Sequence, residues 1–302
     1  MASVTDNLNI FLERECLPDS YREQAQNSFI PFVESLRPLL GVQKHVPVLG
    51  IHGSQGSGKS TLAEFIYWYL HEGDGLNIAL LSLDDFYLPL AQRQQLASSI
   101  HPLLRTRGVP GTHDVSLALA TIAKLRSLSS DQVLQLPRFD KARDDRSPKS
   151  SWPEVRGPID LIVFEGWCVG ASPQMPNELA SAMNDLEQRE DADGGWRRYA
   201  NTCLAGDYQT LFSELDYLLM LRAPSFHCVA DWRGEQEKKL AQRQHDGASA
   251  PGLMDSAAIQ RFIQHYQRLT THCLNTLPAS ADCVMSLGSH REILTVQYRE
   301  GK

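Results

Sequence analysis

The nine residues GSQGSGKST (53–61) constrain the fold more than any other part of this chain. They match G-x-x-x-x-G-K-[ST] without deviation, and each position has a physical reason. Gly53, Gly56 and Gly58 permit backbone angles that other residues resist, so that amide N–H groups can turn inward around an anion. Lys59 offers a point charge to the β- and γ-phosphates of a nucleotide, and Ser60 offers a hydroxyl to Mg²⁺. A helix beginning near Ser60 adds the positive end of its dipole. Gly53, Ser54, Gln55, Gly56, Ser57, Gly58, Lys59, Ser60 and Thr61 are therefore the candidate ATP-binding loop. A dinucleotide fold is disfavoured, because the glycines run G-x-x-G-x-G and not G-x-G-x-x-G.

The flanking sequence has the pattern such a loop needs. Val46 to His52 is a short apolar run rich in β-branched residues, which predicts a buried strand. Leu62, Phe65, Ile66, Tyr69 and Leu70 mark one face of a helix that Gly73 and Gly75 end. Ile78 to Leu83 predicts a second buried strand, and strand, helix and strand together imply a parallel sheet. Asp114 is placed to cap a helix carrying Leu117, Ile122, Leu125 and Leu128. Further strands are expected at Val133 to Leu136, Leu161 to Phe164, Tyr217 to Leu221, Cys283 to Leu287 and Ile293 to Val296. Residues 174 to 214 read as polar and helical, with an exposed loop over 187 to 198. Helices are expected from about 226 to 245 and from 255 to 277, with the loop QHDGASAPG between them.

The expected architecture is α/β: a P-loop NTPase-type parallel sheet with helices on both faces, plus an N-terminal helical extension. The extension covers residues 1–44, where Phe29, Phe32, Val33 and Leu36 recur at helical spacing and Pro31 kinks or restarts the helix. The main domain covers 45–302, with a lid region around 226–255. A chain of 302 residues is ample for that core.

The formal net charge of −7 argues against a nucleic-acid partner, which leaves a basic footprint. It does not exclude a local basic pocket for a small anion. The six cysteines form no C-x-x-C pair, so neither a zinc site nor a dithiol site is indicated. The N-terminus lacks the pattern of a signal peptide, and no run reaches the roughly 20 apolar residues of a membrane span. A cytoplasmic location is expected, with no membrane association and no partner protein inferable.

In open α/β sheets, ligands bind beyond the carboxyl ends of the strands. Two predicted strands end in acids there. LLSLDDFYL delivers Asp84 and Asp85, and LIVFEGW delivers Glu165. If both strands flank the first, they bring oxygen ligands or a base to the γ-phosphate. Asp84 is the candidate general base, Glu165 the candidate Mg²⁺-associated acid with Ser60, and Asp85 is read as a helix or turn cap.

GSQGSGKST, SLDDFY, GTHD, LPRFDKARDDR, WPEV and FEGW together resemble the D-glycerate 3-kinases, within the wider group of phosphoribulokinase, uridine kinase and pantothenate kinase. The resemblance runs from Val46 to about Leu277. It implies transfer of the ATP γ-phosphate to a hydroxyl of D-glycerate, with Asp84 and Lys59 as catalytic residues. A carboxylate substrate needs a cation, and the stretch 137–146 offers Arg138, Lys141, Arg143 and Arg146. The resemblance favours Arg138, Lys141 and Arg146 over the plain reading of a solvated mixed-charge loop, and it moves His113 and Asp114 towards substrate binding. In DWRGEQEKKLAQR (231–243), Arg233 is the lid candidate beside Lys238, Lys239 and Arg243. Trp152, Trp167 and Trp232 are read as packing residues. Two alternatives stay open: a kinase of the same fold acting on another hydroxyl metabolite, such as a nucleoside or pantothenate, and a regulatory ATP-binding module.

Overall fold

Four short helices precede the first strand: α1 (Val4–Arg14), α2 (Ser20–Gln24), α3 (Ile30–Ser35) and α4 (Leu39–Val42). The computed structural model describes the backbone of residues 4–42, 45–244 and 256–299, and the side chains of 8–40, 45–235 and 258–299. The loop expected over 244–252, and the side chains of Lys238, Lys239 and Arg243, lie largely outside these described residues. A wider π turn, Ala25–Phe29, joins α2 to α3, and Pro31 sits in the first turn of α3. There its missing N–H breaks no bond of the new helix, so the chain restarts at this proline.

The core then alternates. β1 (Val48–Gly53) leads through the glycine loop into α5 (Lys59–Asp74), and β2 (Ile78–Ser82) follows. β1 starts two residues later than its apolar run, because Pro47 has no N–H for the ladder and contributes only its carbonyl, to Ile162 N. Next come α6 (Leu90–Ser99), α7 (Val115–Arg126), and the short strands β3 (Val133–Gln135), β4 (Phe139–Asp140), β5 (Asp145–Arg146) and β6 (Glu154–Arg156). β7 (Leu161–Gly166) returns to the main sheet. It is followed by α8 (Asp185–Glu190), α9 (Gly195–Ala205), α10 (Asp207–Phe212) and β8 (Tyr217–Arg222). The chain ends with α11 (Phe226–Gln244), α12 (Ser256–Thr276), β9 (Cys283–Leu287) and β10 (Ile293–Tyr298).

The six-stranded sheet has the order β10-β9-β8-β1-β7-β2. Neighbours from β9 to β2 are parallel, and β10 is an antiparallel edge. β1 therefore lies between β7 and β8, and β2 reaches it only across β7. Only one of the two acid-bearing strands flanks β1, contrary to the simplest expectation. Register compensates: Glu165 on β7 stands level with Ile51 of β1 and with Ser82 of β2.

Alternate residues of the central strands feed two cores, as the pleat requires. Leu49, Ile51, Leu161, Val163, Leu219 and Leu221 pack with α5 and the N-terminal helices. Val48, Ile162, Phe164, Leu218 and Met220 pack with residues of α7, α10 and α12. The Phe65 ring of α5 meets Phe11 at 5.4 Å and Phe29 at 5.6 Å, so the N-terminal helices cover a helix that would otherwise present aromatic rings to water.

The segment read as an exposed loop over 187–198 is instead largely helical and partly buried. Glu187 and Asp191 are wholly buried, and Trp196 and Arg197 nearly so. The charges turn inward because each has a partner: Arg268 grips Glu187 through two bonds of 2.6–2.7 Å, and Arg197 donates to Asp191 at 2.9 Å. Polarity alone signals exposure only when such partners are missing. No described helix is long and apolar enough to cross a membrane.

Candidate active site

The glycine loop closes as the pattern predicts. Gly56 and Gly58 have φ of +77° and +90°, in the left-handed region that disfavours a side chain. A Cβ on Gly56 would lie 2.7 Å from the Cβ of Trp232, and one on Gly53 only 2.5 Å from the Ser57 hydroxyl. The buried hydroxyls of Ser54 and Ser57 have no hydrogen-bond partner among the described residues. Ser60 donates to Glu165 Oε1 at 2.8 Å, and Lys59 Nζ lies 3.9 Å from Glu165 Oε2. That second carboxylate oxygen is buried and accepts no hydrogen bond among the described residues. A hydroxyl and a carboxylate converging at the start of a helix form an oxygen donor set that fits a hard cation held against phosphates.

Asp84 and Asp85 lie in a 3₁₀ turn, Leu83–Phe86, at the end of β2. Lys141 donates to Asp84 at 2.6 Å. Burial alone would raise the Asp84 pKa, but the ammonium groups of Lys141 and Lys59 outweigh it and hold the carboxyl well below its usual range. The same pairing raises Lys141. Asp85 is not a cap. Its carboxylate accepts from Phe139 N at 3.1 Å and from Arg138 at 3.2 Å, and burial lifts its pKa to about 6. It anchors the β4–β5 hairpin over the strand ends.

The rest of that hairpin is tied down in the same way. Arg146 donates to Asp114 at 3.0 Å and to the Tyr87 carbonyl at 3.3 Å. Asp114 also caps α7, accepting from Leu117 N at 3.0 Å, so the expected cap and the expected site residue are one carboxylate with two partners. Arg138, Lys141 and Arg146 thus each hold an acid: Asp85, Asp84 and Asp114 respectively.

Residues 112–114 run beside 86–88. Leu88 N donates to Thr112 O at 2.9 Å and Asp114 N to Phe86 O at 2.7 Å. This pairing stacks the His113 ring on Tyr87 at 4.4 Å. His113 Nδ1 is 2.6 Å from the Tyr208 hydroxyl, and burial pushes the imidazole pKa down to about 3. His113 is therefore neutral at physiological pH.

The lid candidate Arg233 lies on α11 with its guanidinium 5.3 Å from the centre of the Phe262 ring. Its neighbour Trp232 is buried and donates to Ser289 O at 2.7 Å, as a packing residue should.

No family model matches the chain. A solved D-glycerate 3-kinase from Cryptococcus neoformans superposes with a TM-score of 0.70 at 26% identity, covering 91% of this chain and 98% of that one. The chloroplastic D-glycerate 3-kinase of Arabidopsis thaliana is 31% identical over 72% of this chain, which spans 46% of that protein's length. An uncharacterized kinase of Schizosaccharomyces pombe, mug58, is 34% identical over 242 residues, 76% of this chain and 82% of that one. The chain belongs to the glycerate-kinase-like P-loop kinases.

As a member of this kinase family it is a phosphotransferase with an alcohol acceptor and uses ATP. Three residues at the kinase site carry no motif. Arg291, at the turn between β9 and β10, donates to the Gly56 carbonyl at 2.7 Å and stacks at 5.1 Å on Trp232. Arg107 pairs with Asp144 and lies 5.6 Å from the Phe139 ring. Tyr266 donates from its hydroxyl to Arg107 O at 3.1 Å. Tyr266 falls in the helix expected over 255–277, within the stretch FIQHYQRLTTHCL (262–274) that the family resemblance covers, but without an assigned role; nothing in the sequence singled out the two arginines.

Proposed function

We propose that this kinase transfers the γ-phosphate of ATP to a hydroxyl of D-glycerate. The observation that carries the reading is the meeting of Lys59, Ser60, Glu165 and Asp84 at the carboxyl ends of β1, β7 and β2, under a hairpin whose Arg138, Lys141 and Arg146 each hold an acid of the site. The glycerate kinases among its relatives support the acceptor.

The loop 53–61 cradles the phosphates through its amides, and Lys59 follows the charge that spreads over the γ-phosphoryl group. Ser60 and Glu165 would hold Mg²⁺, which when bound neutralises phosphate charge and orients the phosphates. Asp84 takes the proton from the acceptor hydroxyl. The freed oxygen forms a bond to the γ-phosphorus, the bond to the bridging oxygen breaks, and ADP leaves with that electron pair. Arg138, Lys141 and Arg146 bind the acceptor carboxylate, exchanging their present acidic partners for it, while His113 and Asp114 take the acceptor's hydroxyl groups. Arg233, in the lid region expected around 226–255, of which 245–255 lie outside the described residues, supplies the cation that screens the phosphates from water. Residues 1–44 brace the catalytic domain, 45–302. A cytoplasmic setting is supported by six cysteines that are all unpaired.

A coupled assay over a panel of hydroxy acids, nucleosides and pantothenate, with the product identified by NMR, tests the acceptor. Phosphoglycerate is expected. ADP release with another alcohol and none with D-glycerate would reject the assignment.

A further inference from the structure

We propose that Tyr208 is a positioning residue that fixes the tautomer of His113, so that His113 presents an uncharged Nε2–H donor to an oxygen of the acceptor molecule. The inference rests on the phosphoryl-transfer reading of the site and deepens it.

The hydroxyl of Tyr208 is deeply buried and has two partners among the described residues. Gly111 N donates to it at 3.0 Å, and His113 Nδ1 lies at 2.6 Å. A phenol carries one proton. The Gly111 amide can only give, so that proton points to Nδ1, which must therefore be the lone-pair nitrogen. A neutral imidazole with a bare Nδ1 carries its hydrogen on Nε2. Burial of the ring, which is 5% exposed, keeps it neutral.

Nε2 lies across the ring from the Nδ1 that faces Tyr208. It is buried and has no hydrogen-bond partner among the described residues. The ring lies flat on Tyr87, three residues beyond Asp84, whose charge acts on the imidazole. A donor without charge takes a lone pair: a hydroxyl or carboxylate oxygen. An ammonium group has none to offer.

Two-bond ¹H–¹⁵N correlation spectra of the full-length, ¹⁵N-labelled protein read the tautomer directly and need no acceptor. His113 is expected as the neutral Nε2–H form. A proton on Nδ1 would overturn the proposal, whatever the acceptor proves to be. In Tyr208→Phe, which keeps the ring, the tautomers should mix, and the acceptor KM should rise about tenfold with the ATP KM unchanged. An unaltered acceptor KM in a folded variant would also overturn it. If the substrate panel rejects D-glycerate, the kinetic arm is run with the alcohol that the panel identifies. The wild-type spectrum decides the case should the variant fail to fold.

Discussion

Lys141 and Asp84 are joined by a 2.6 Å hydrogen bond that ties the β4–β5 hairpin to the turn after β2. The hairpin that would recognise the acceptor thus touches the carboxylate that would activate it. If Asp84 is the base and Lys141 binds the acceptor, as proposed, substrate entry and base activation would be coupled, because the cation that occupies Asp84 is one that a substrate carboxylate would draw away.

Asp84→Asn should lower kcat by about 10²- to 10⁴-fold, the range for loss of a general base, while ATP binding is largely kept. Lys59→Ala should instead damage nucleotide affinity and turnover together. Calorimetry and steady-state kinetics on both variants separate the two roles; turnover retained in Asp84→Asn removes Asp84 from the mechanism.

Lys141→Met should move the acid limb of the kcat/KM profile to higher pH. With the ammonium gone, the Asp84 carboxyl returns towards its ordinary range and protonates sooner as pH falls. The sign for stability follows the same pairing. A depressed folded-state pKa stabilises the protein above the usual carboxylate pKa, and the gain is lost as pH falls through the depressed value. The Tm advantage of wild type over the variant should thus be present at neutral pH and vanish in strong acid. An unmoved acid limb would break the link.

Asp85 predicts the opposite trend. Its pKa is raised to about 6 by burial, so its contribution is most favourable below the ordinary value near 4 and is lost as pH rises through about 6. Asp85→Asn keeps an acceptor for Phe139 N but removes the charge. The Tm of the variant should fall less than that of wild type between pH 4 and 7. Parallel melting curves across that window would exclude the effect.

Arg291→Ala should weaken ATP binding about tenfold, because it releases the Gly56 carbonyl from a charged donor and strips the Trp232 ring of its cation. Acceptor KM should change little. Gly56→Ala should do more, losing about 1–2 kcal/mol to the left-handed backbone alone, besides the clash with Trp232. Isothermal titration with an ATP analogue and thermal melts measure both.

The phosphate loop, the parallel sheet and the two acids at strand ends were legible because each rests on short-range pattern: glycine spacing, apolar runs, a carboxylate just after a strand. Sequence alone makes Asp85 a cap, because its partners, Arg138 and Phe139, lie 53 and 54 residues away, and only the folded hairpin brings them back. Glu187 and Asp191 look exposed in the sequence for the same reason, since their arginines come from other elements or from the next turn of chain. Arg291 lies 235 residues from the carbonyl it holds. Pairings of that range leave no periodic trace.

The ladder around Glu165 has a consequence for how such a molecule can change its diet. Strands on both sides hold that carboxylate in register, with Ile51 on one flank and Ser82 on the other, so the phosphate chemistry sits on a frame that tolerates little adjustment. The hairpin of residues 137–146 is tied to the frame through side chains: Asp84, Asp85 and Asp114 hold Lys141, Arg138 and Arg146, and its own Asp144 and Asp145 reach Arg93, Arg107 and the Leu90 amide. On the proposed reading, in which that hairpin recognises the acceptor, exchanging it while keeping the acids that anchor it is the economical way to redirect the enzyme to a new alcohol and leave its handling of ATP intact.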